Sequence, residues 1–116
     1  MTLLLDHATL NELREALGDE LDSIIQLYVE GLREQAQALV EQHGAQDLAT
    51  LRRSAHSLKG SSVSMGAQSL GALAAQIEKL AATGVASDEL RKAVSEAPAL
   101  ASATEAAFRE SGWVPS

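Results

Sequence analysis

The sequence predicts an all-α protein, an antiparallel up-down four-helix bundle with a short extra helix at the N-terminus. Apolar residues make up 46% of the chain and are mostly leucine and alanine, whereas aromatic residues make up only 3%, and this composition favours helices over sheets. Apolar residues also recur at the three- and four-residue spacing of amphipathic helices. The segments between these stretches are short, and short connections make successive helices antiparallel neighbours.

The first two helices are predicted from a cap and an apolar stripe. The first covers about residues 7–17, with Asp6 as its N-cap. The second covers about residues 19–43 and follows the helical period throughout. Its inward positions are Leu21, Ile25, Tyr28, Leu32, Ala36 and Leu39.

The other three helices complete the predicted bundle. The third begins after the N-cap Asp47 and ends at Gly66, and the fourth covers about residues 67–83. The fifth runs from its N-cap Ser87 to about residue 110, and because its apolar period continues through Pro98 we expect one kinked helix. The predicted inward positions are Leu48, Leu51, Ala55, Leu58, Ser62 and Met65, then Leu70, Leu73, Ile77 and Leu80, then Leu90, Val94, Ala97, Ala101, Thr104 and Phe108. Glycines, which favour the left-handed conformation after a helix, follow the five segments at Gly18, Gly44, Gly66, Gly84 and Gly112.

Composition and charge narrow the function. The 116 residues predict a single domain, residues 1–116, and the absence of cysteine excludes disulfides and thiolate metal sites. The net charge of −7 argues against nucleic acid, which is bound through lysine and arginine. No apolar run approaches the ~20 residues of a membrane span, and the N-terminal apolar stretch is too short for a signal peptide. We therefore expect a cytoplasmic protein with no membrane partner, and a monomer because the bundle buries its own apolar faces.

One segment departs from this acidic composition. No Asp or Glu occurs between residues 47 and 78, and the stretch RRSAHSLKGSSVSMG within it places Arg52, Arg53 and Lys59 around His56. On a helix, His56 lies roughly 130° from the centre of the inward stripe, so it points outward. A neutral imidazole is a nucleophile, and neighbouring cations favour a phosphoryl group held on it. Gly60, which costs about 1 kcal/mol relative to alanine within a helix, leaves room for another protein to approach.

The stretch AHSLKGSSVSMGA, followed by LAAQIEKL, resembles the histidine-containing phosphotransfer (HPt) family. The family signature is A-H-x-L-K-G-[SA]-[SA], with a later glycine and a helix that ends near an L-E or I-E pair. The upstream IIQLYVEGLREQAQAL is similar to the family's second helix, so the resemblance covers nearly the whole chain. The matching residues are Ala55, His56, Leu58, Lys59, Gly60, Ser61, Ser62, Gly66, Ala67, Ile77 and Glu78.

The resemblance implies a bundle that relays phosphoryl groups between receiver domains of a multistep two-component pathway. His56 would be the phosphoacceptor, and its Nε2 would attack an aspartyl phosphate on a docked receiver. Lys59 would neutralise the transferring oxygens, and Gly60 would let the receiver approach. Glu78 would accept a hydrogen bond from Nδ1–H of His56. The receiver would supply Mg²⁺, and the chain itself would need no cofactor.

Several residues have alternative interpretations. Arg52 and Arg53 either support the phosphoryl group or are ordinary helix-surface residues. Glu78 either orients His56 or is a solvated neighbour of Lys79. An apolar docking patch for receivers is predicted at Val29, Leu32, Ala36, Val63 and Ser64, although Leu32 also fits the core and Val63 is the better candidate for exposure.

Other functions are less compatible with the sequence. The chain has no Glu-x-x-His or His-x-x-x-His pair, so we expect no metal site, and it has no nucleotide-binding or kinase motif. We therefore expect a phosphotransfer intermediate that receives phosphate from another protein and is not itself a kinase. The alternative is a helical adaptor that binds receiver or kinase domains without phosphate.

Overall fold

The computed structural model describes residues 3–114, which form five helices and no strand. The predicted all-α fold is confirmed, while residues 1, 2, 115 and 116 of the predicted 1–116 domain lie outside the described residues. The helices are α1 (His7–Leu17), α2 (Glu20–Gly44), α3 (Leu48–Ser64), α4 (Gln68–Ala82) and α5 (Asp88–Glu110). Helix α5 continues through Pro98 as one element.

The helix starts follow the predicted caps. Asp6 accepts hydrogen bonds from the amides of Ala8 and Thr9, and Asp47 accepts one from the amide of Thr50. Ser87 does the same at the start of α5, accepting from the amide of Leu90. These side chains satisfy backbone donors that the first turn of a helix leaves free.

The helix ends contain one departure from the prediction. Four of the five predicted glycines, at positions 18, 66, 84 and 112, have positive φ angles. Gly44 does not, because α2 extends to include it, and Gln46 adopts the left-handed conformation instead, with φ 59°. The chain therefore turns two residues later than expected before it enters α3.

The four long helices form a closed ring in which α2 and α4 each pack against both α3 and α5. All predicted inward positions are buried except Leu48 and Leu80, which are half-buried. A buried polar pair connects α2 to α3, where Tyr28 Oη and Ser62 Oγ lie 2.7 Å apart, and the Tyr28 ring meets Phe108 of α5 edge-on at 5.8 Å. Burial raises the pKa of Tyr28 to about 12, so the phenol stays neutral.

Helix α1 packs across the end of the bundle at which α3 turns into α4. The amide of Asp6 donates to the carbonyl of Gly66 at 2.7 Å, and a Cβ at Gly66 would come within 2.9 Å of the Asp6 carbonyl oxygen. Trp113 stacks on His7 with ring centroids 6.3 Å apart, and its Nε1–H donates to His7 Nδ1 at 3.2 Å. Both ends of the described chain therefore meet here. None of the helices within residues 3–114 is long and apolar enough to cross a membrane.

Candidate functional site

His56 lies on the outer face of α3, and 68% of its side chain is exposed. Its sequence neighbours Ala55 and Leu58 are buried in the core and fix the helix beneath it. The imidazole therefore projects from a rigid element into solvent, as the position of His56 on the helix predicts.

Glu78 of α4 binds the inner edge of this imidazole. The tight turn at Gly66 sets α3 and α4 antiparallel, and it brings Glu78 Oε2 to 2.6 Å from His56 Nδ1. The hydrogen bond from Lys59 lowers the pKa of Glu78 most, desolvation opposes it, and the hydrogen bond with His56 lowers it further. An ionised carboxylate only accepts hydrogen bonds, so Nδ1 carries a hydrogen and Nε2 faces solvent.

Lys59 makes a contact that its sequence position did not reveal. Its Nζ donates to Glu78 Oε1 at 2.6 Å, so the two carboxylate oxygens of Glu78 serve two different side chains. The result is a chain of polar contacts from Lys59 through Glu78 to His56. Lys59 is thus paired in the structure and does not stand free beside the imidazole.

The two arginines lie on the other side of His56. Arg52 and Arg53 are exposed and line an open surface depression together with His56 and Glu78. Arg53 Nη2 donates to Thr50 Oγ1 at 3.2 Å. Arg52 makes no hydrogen bond or ion pair within residues 3–114. Two guanidinium groups therefore border the approach to the imidazole.

Gly60 leaves the helix surface beside His56 open. A Cβ built at this position would meet no atom within 4 Å, so packing does not require glycine there. The space it leaves belongs to the solvent-exposed face of α3. This openness is what the approach of a second protein to His56 requires.

The predicted docking patch is wrong for three of its five residues. Val29, Leu32 and Ala36 are fully buried, because α2 packs against both α3 and α5 and therefore turns a wide stripe inward. The other two are accessible: Val63 is 61% exposed, and Ser64 is exposed beside it. Of the five predicted residues, these two extend the surface around His56.

Two exposed apolar residues of α2 were missed by the sequence reasoning. Leu27 is 72% exposed and Ile24 is 39% exposed. At helical spacing they share a face of α2 with Gln35, which lines a groove together with Ser57 and Ser61 of α3. They therefore lie on the α3 side of α2. Their position off the inward stripe was the signal in the sequence, since an apolar residue outside the helical period is a candidate for exposure.

The described part of the chain, residues 3–114, contains no cluster of three or more His, Asp or Glu side chains that could hold a metal ion.

Fold and site together define a helical bundle that presents on its surface a histidine oriented by a carboxylate. The sequence profile of the Hpt domain matches residues 7–109, and the chain belongs to the Hpt domain family. Among solved structures, histidine-containing phosphotransfer protein B (HptB) from Pseudomonas aeruginosa PAO1 is similar, with a TM-score of 0.85 and 26% sequence identity over 93% of each chain. No curated protein matches the chain.

Proposed function

We propose that this chain relays phosphoryl groups between receiver-domain aspartates, through phosphohistidine at His56. The observation that carries this proposal is the orientation of the imidazole: Glu78 holds Nδ1 at 2.6 Å, and Nε2 is left to solvent on an open helix face. Membership of the Hpt family and the similarity to a histidine-containing phosphotransfer protein support the same function.

The transfer step follows from this orientation. Nε2 attacks the phosphorus of an aspartyl phosphate, the Nε2–P bond forms, and the P–O bond to the aspartyl carboxyl group breaks. The bonding electrons leave with the receiver's carboxylate. The Nδ1 hydrogen remains on the ring, so the imidazole gains one positive charge, and the carboxylate of Glu78 already lies against it. The reverse transfer uses the same contacts.

The receiver completes the reaction site. Phosphoryl transfer passes through a loose transition state, so catalysis depends mainly on positioning and charge neutralisation. We assign the Mg²⁺ ion to the receiver, and this chain contributes the nucleophile and its surrounding cations. The phosphoryl group comes from another protein in the cytoplasm, and the chain acts as a carrier.

A docking face for the receiver surrounds His56 on α2 and α3. It consists of Ile24, Leu27, Gly60, Val63 and Ser64, all of them accessible. Gly60 and Ser64 have little or no side chain, so they leave room for a partner beside the imidazole. The three apolar side chains supply surface area that a partner buries. A small interface of this kind suits transient signalling contacts.

Incubation with a panel of phosphorylated receiver domains and Mg²⁺ tests the proposal. The wild type is expected to acquire an acid-labile, alkali-stable phosphoryl group, and His56→Gln is expected to acquire none. His43→Gln, which changes a histidine at the end of α2, is the matched control and is expected to behave as wild type. Absence of labelling from every receiver, together with undiminished receiver binding by His56→Gln, would instead establish a phosphate-independent adaptor.

A further inference from the structure

We infer that Arg52 is the side chain that binds the phosphoryl group at His56, and that Lys59 is a positioning residue acting through Glu78. This inference rests on the proposed function and divides the roles of the cations beside the imidazole. It differs from the role that the family resemblance implies for Lys59, which is direct neutralisation of the transferring oxygens.

The ammonium group of Lys59 already has an anionic partner. Its Nζ lies 2.6 Å from Glu78 Oε1, and the Glu78 side chain is only 20% exposed. A move of Lys59 to the phosphoryl group would leave a half-buried carboxylate without its strongest partner. The gain of one ion pair would therefore be offset by the loss of another.

Arg52 has no such anionic partner. It lies one helical turn before His56, lines the same depression, and makes no hydrogen bond or ion pair within the described residues. A guanidinium group presents two parallel N–H donors that match two oxygens of a phosphoryl group. Arg53 borders the same depression, but the hydroxyl of Thr50 holds one of its nitrogens. Arg52 is therefore the cation available to an incoming anion.

Lys59 has a separate task at the opposite edge of the ring. The charged groups that face His56 are Arg52, Arg53 and Lys59 from α3 and Glu78 from α4. Glu78 can hold Nδ1 in a fixed direction only if its own carboxylate is held in place. Lys59 donates to the other oxygen of Glu78 at 2.6 Å and so fixes the carboxylate against the ring. Lys59 therefore orients the ring through Glu78, so that Nε2 stays directed towards the incoming phosphorus.

Phosphoramidate, a small anionic phosphodonor, tests this division without any receiver. Its P–N bond breaks as the Nε2–P bond forms, and ammonia leaves. Initial rates of phosphohistidine formation would be measured against donor concentration for wild type, Arg52→Gln, Arg52→Lys, Lys59→Met and Arg91→Gln. The last variant removes an exposed arginine from α5 and is the matched control for net charge.

We expect Arg52→Gln to raise the half-saturating donor concentration about five- to tenfold with a maximal rate within about twofold of wild type, and Arg52→Lys to fall between it and wild type. Lys59→Met is expected to leave that concentration within about twofold of wild type. It should instead lower the maximal rate several-fold, because the ring is oriented less firmly. Arg91→Gln should match wild type. The inference would be overturned if Lys59→Met raised the half-saturating concentration and Arg52→Gln did not. Phosphohistidine would still form in that case, so the proposed relay would stand. An equal effect of Arg91→Gln would also overturn the inference, and a wild type that no phosphodonor or receiver phosphorylates would refute the relay itself.

Discussion

Replacement of Val63 by serine should weaken receiver binding without unfolding the bundle. Full burial of a valine side chain is worth about 1.5–3 kcal/mol. Since Val63 is 61% exposed, a docked receiver can bury at most that share, which corresponds to about 1–2 kcal/mol. Serine retains one side-chain carbon, so the dissociation constant should rise about five- to tenfold, within the lower part of that range. Calorimetric titration with the receiver that transfers fastest to His56 measures this change.

Val85 provides the control for this experiment. It is a valine of nearly equal exposure, 59%, and it lies in the connection between α4 and α5, at the end of the bundle away from α1. Val85→Ser should therefore bind the receiver as wild type does. A dissociation constant for Val63→Ser within twofold of wild type, or equal weakening by both substitutions, would refute the docking face as defined.

Further predictions concern three residues, Gly60, Tyr28 and Asp6. Gly60→Ala should raise the melting temperature by a few degrees, because alanine gains about 0.5–1 kcal/mol in a helix and its Cβ meets no atom within 4 Å. Gly60→Gln should slow transfer from a receiver more than phosphorylation by phosphoramidate, and equal slowing would contradict the access role. Tyr28→Phe should cost about 1–3 kcal/mol in urea unfolding at pH 8, because Ser62 loses its partner, with transfer unaffected. Wild type should also lose stability as pH rises from 10 through about 12, since the fold favours the neutral phenol, and an identical loss in the variant would exclude Tyr28 as its source. The hydrogen bond with Thr9 lowers the pKa of Asp6 most, so the stability contributed by Asp6 is present above pH 3.8 and is lost as pH falls below it. The melting-temperature gap between wild type and Asp6→Ala should therefore close in acid, and a gap that is constant with pH would show that the charge of Asp6 is not involved.

The helices could be predicted because their causes are local. Asp6, Asp47 and Ser87 cap helices through hydrogen bonds to amides two or three residues away, and such short spacings are visible in the sequence. The exception at Gly44 has a physical reason. Glycine is permitted in the left-handed conformation but not forced into it, and here Gln46 adopts it instead.

The site was predicted less completely than the fold. The pairing of His56 with Glu78 was expected from the family resemblance, but the contact of Lys59 with the same carboxylate depends on how two long side chains meet across α3 and α4. No spacing along the sequence encodes that meeting. The predicted exposure of Val29 and Leu32 was wrong for a related reason, because the width of the buried stripe on α2 depends on how many helices pack against it.

The stacking of Trp113 on His7 has a consequence for chain connectivity. Both ends of the described chain lie at one pole of the bundle, and the exposed connection around Val85 lies at the other. A circular permutant that joins the two ends by a short linker and opens the chain at Val85 should therefore preserve every helix. His56 and Glu78 would still meet across α3 and α4, because their pairing depends on the side-by-side packing of two helices and not on where the chain begins and ends.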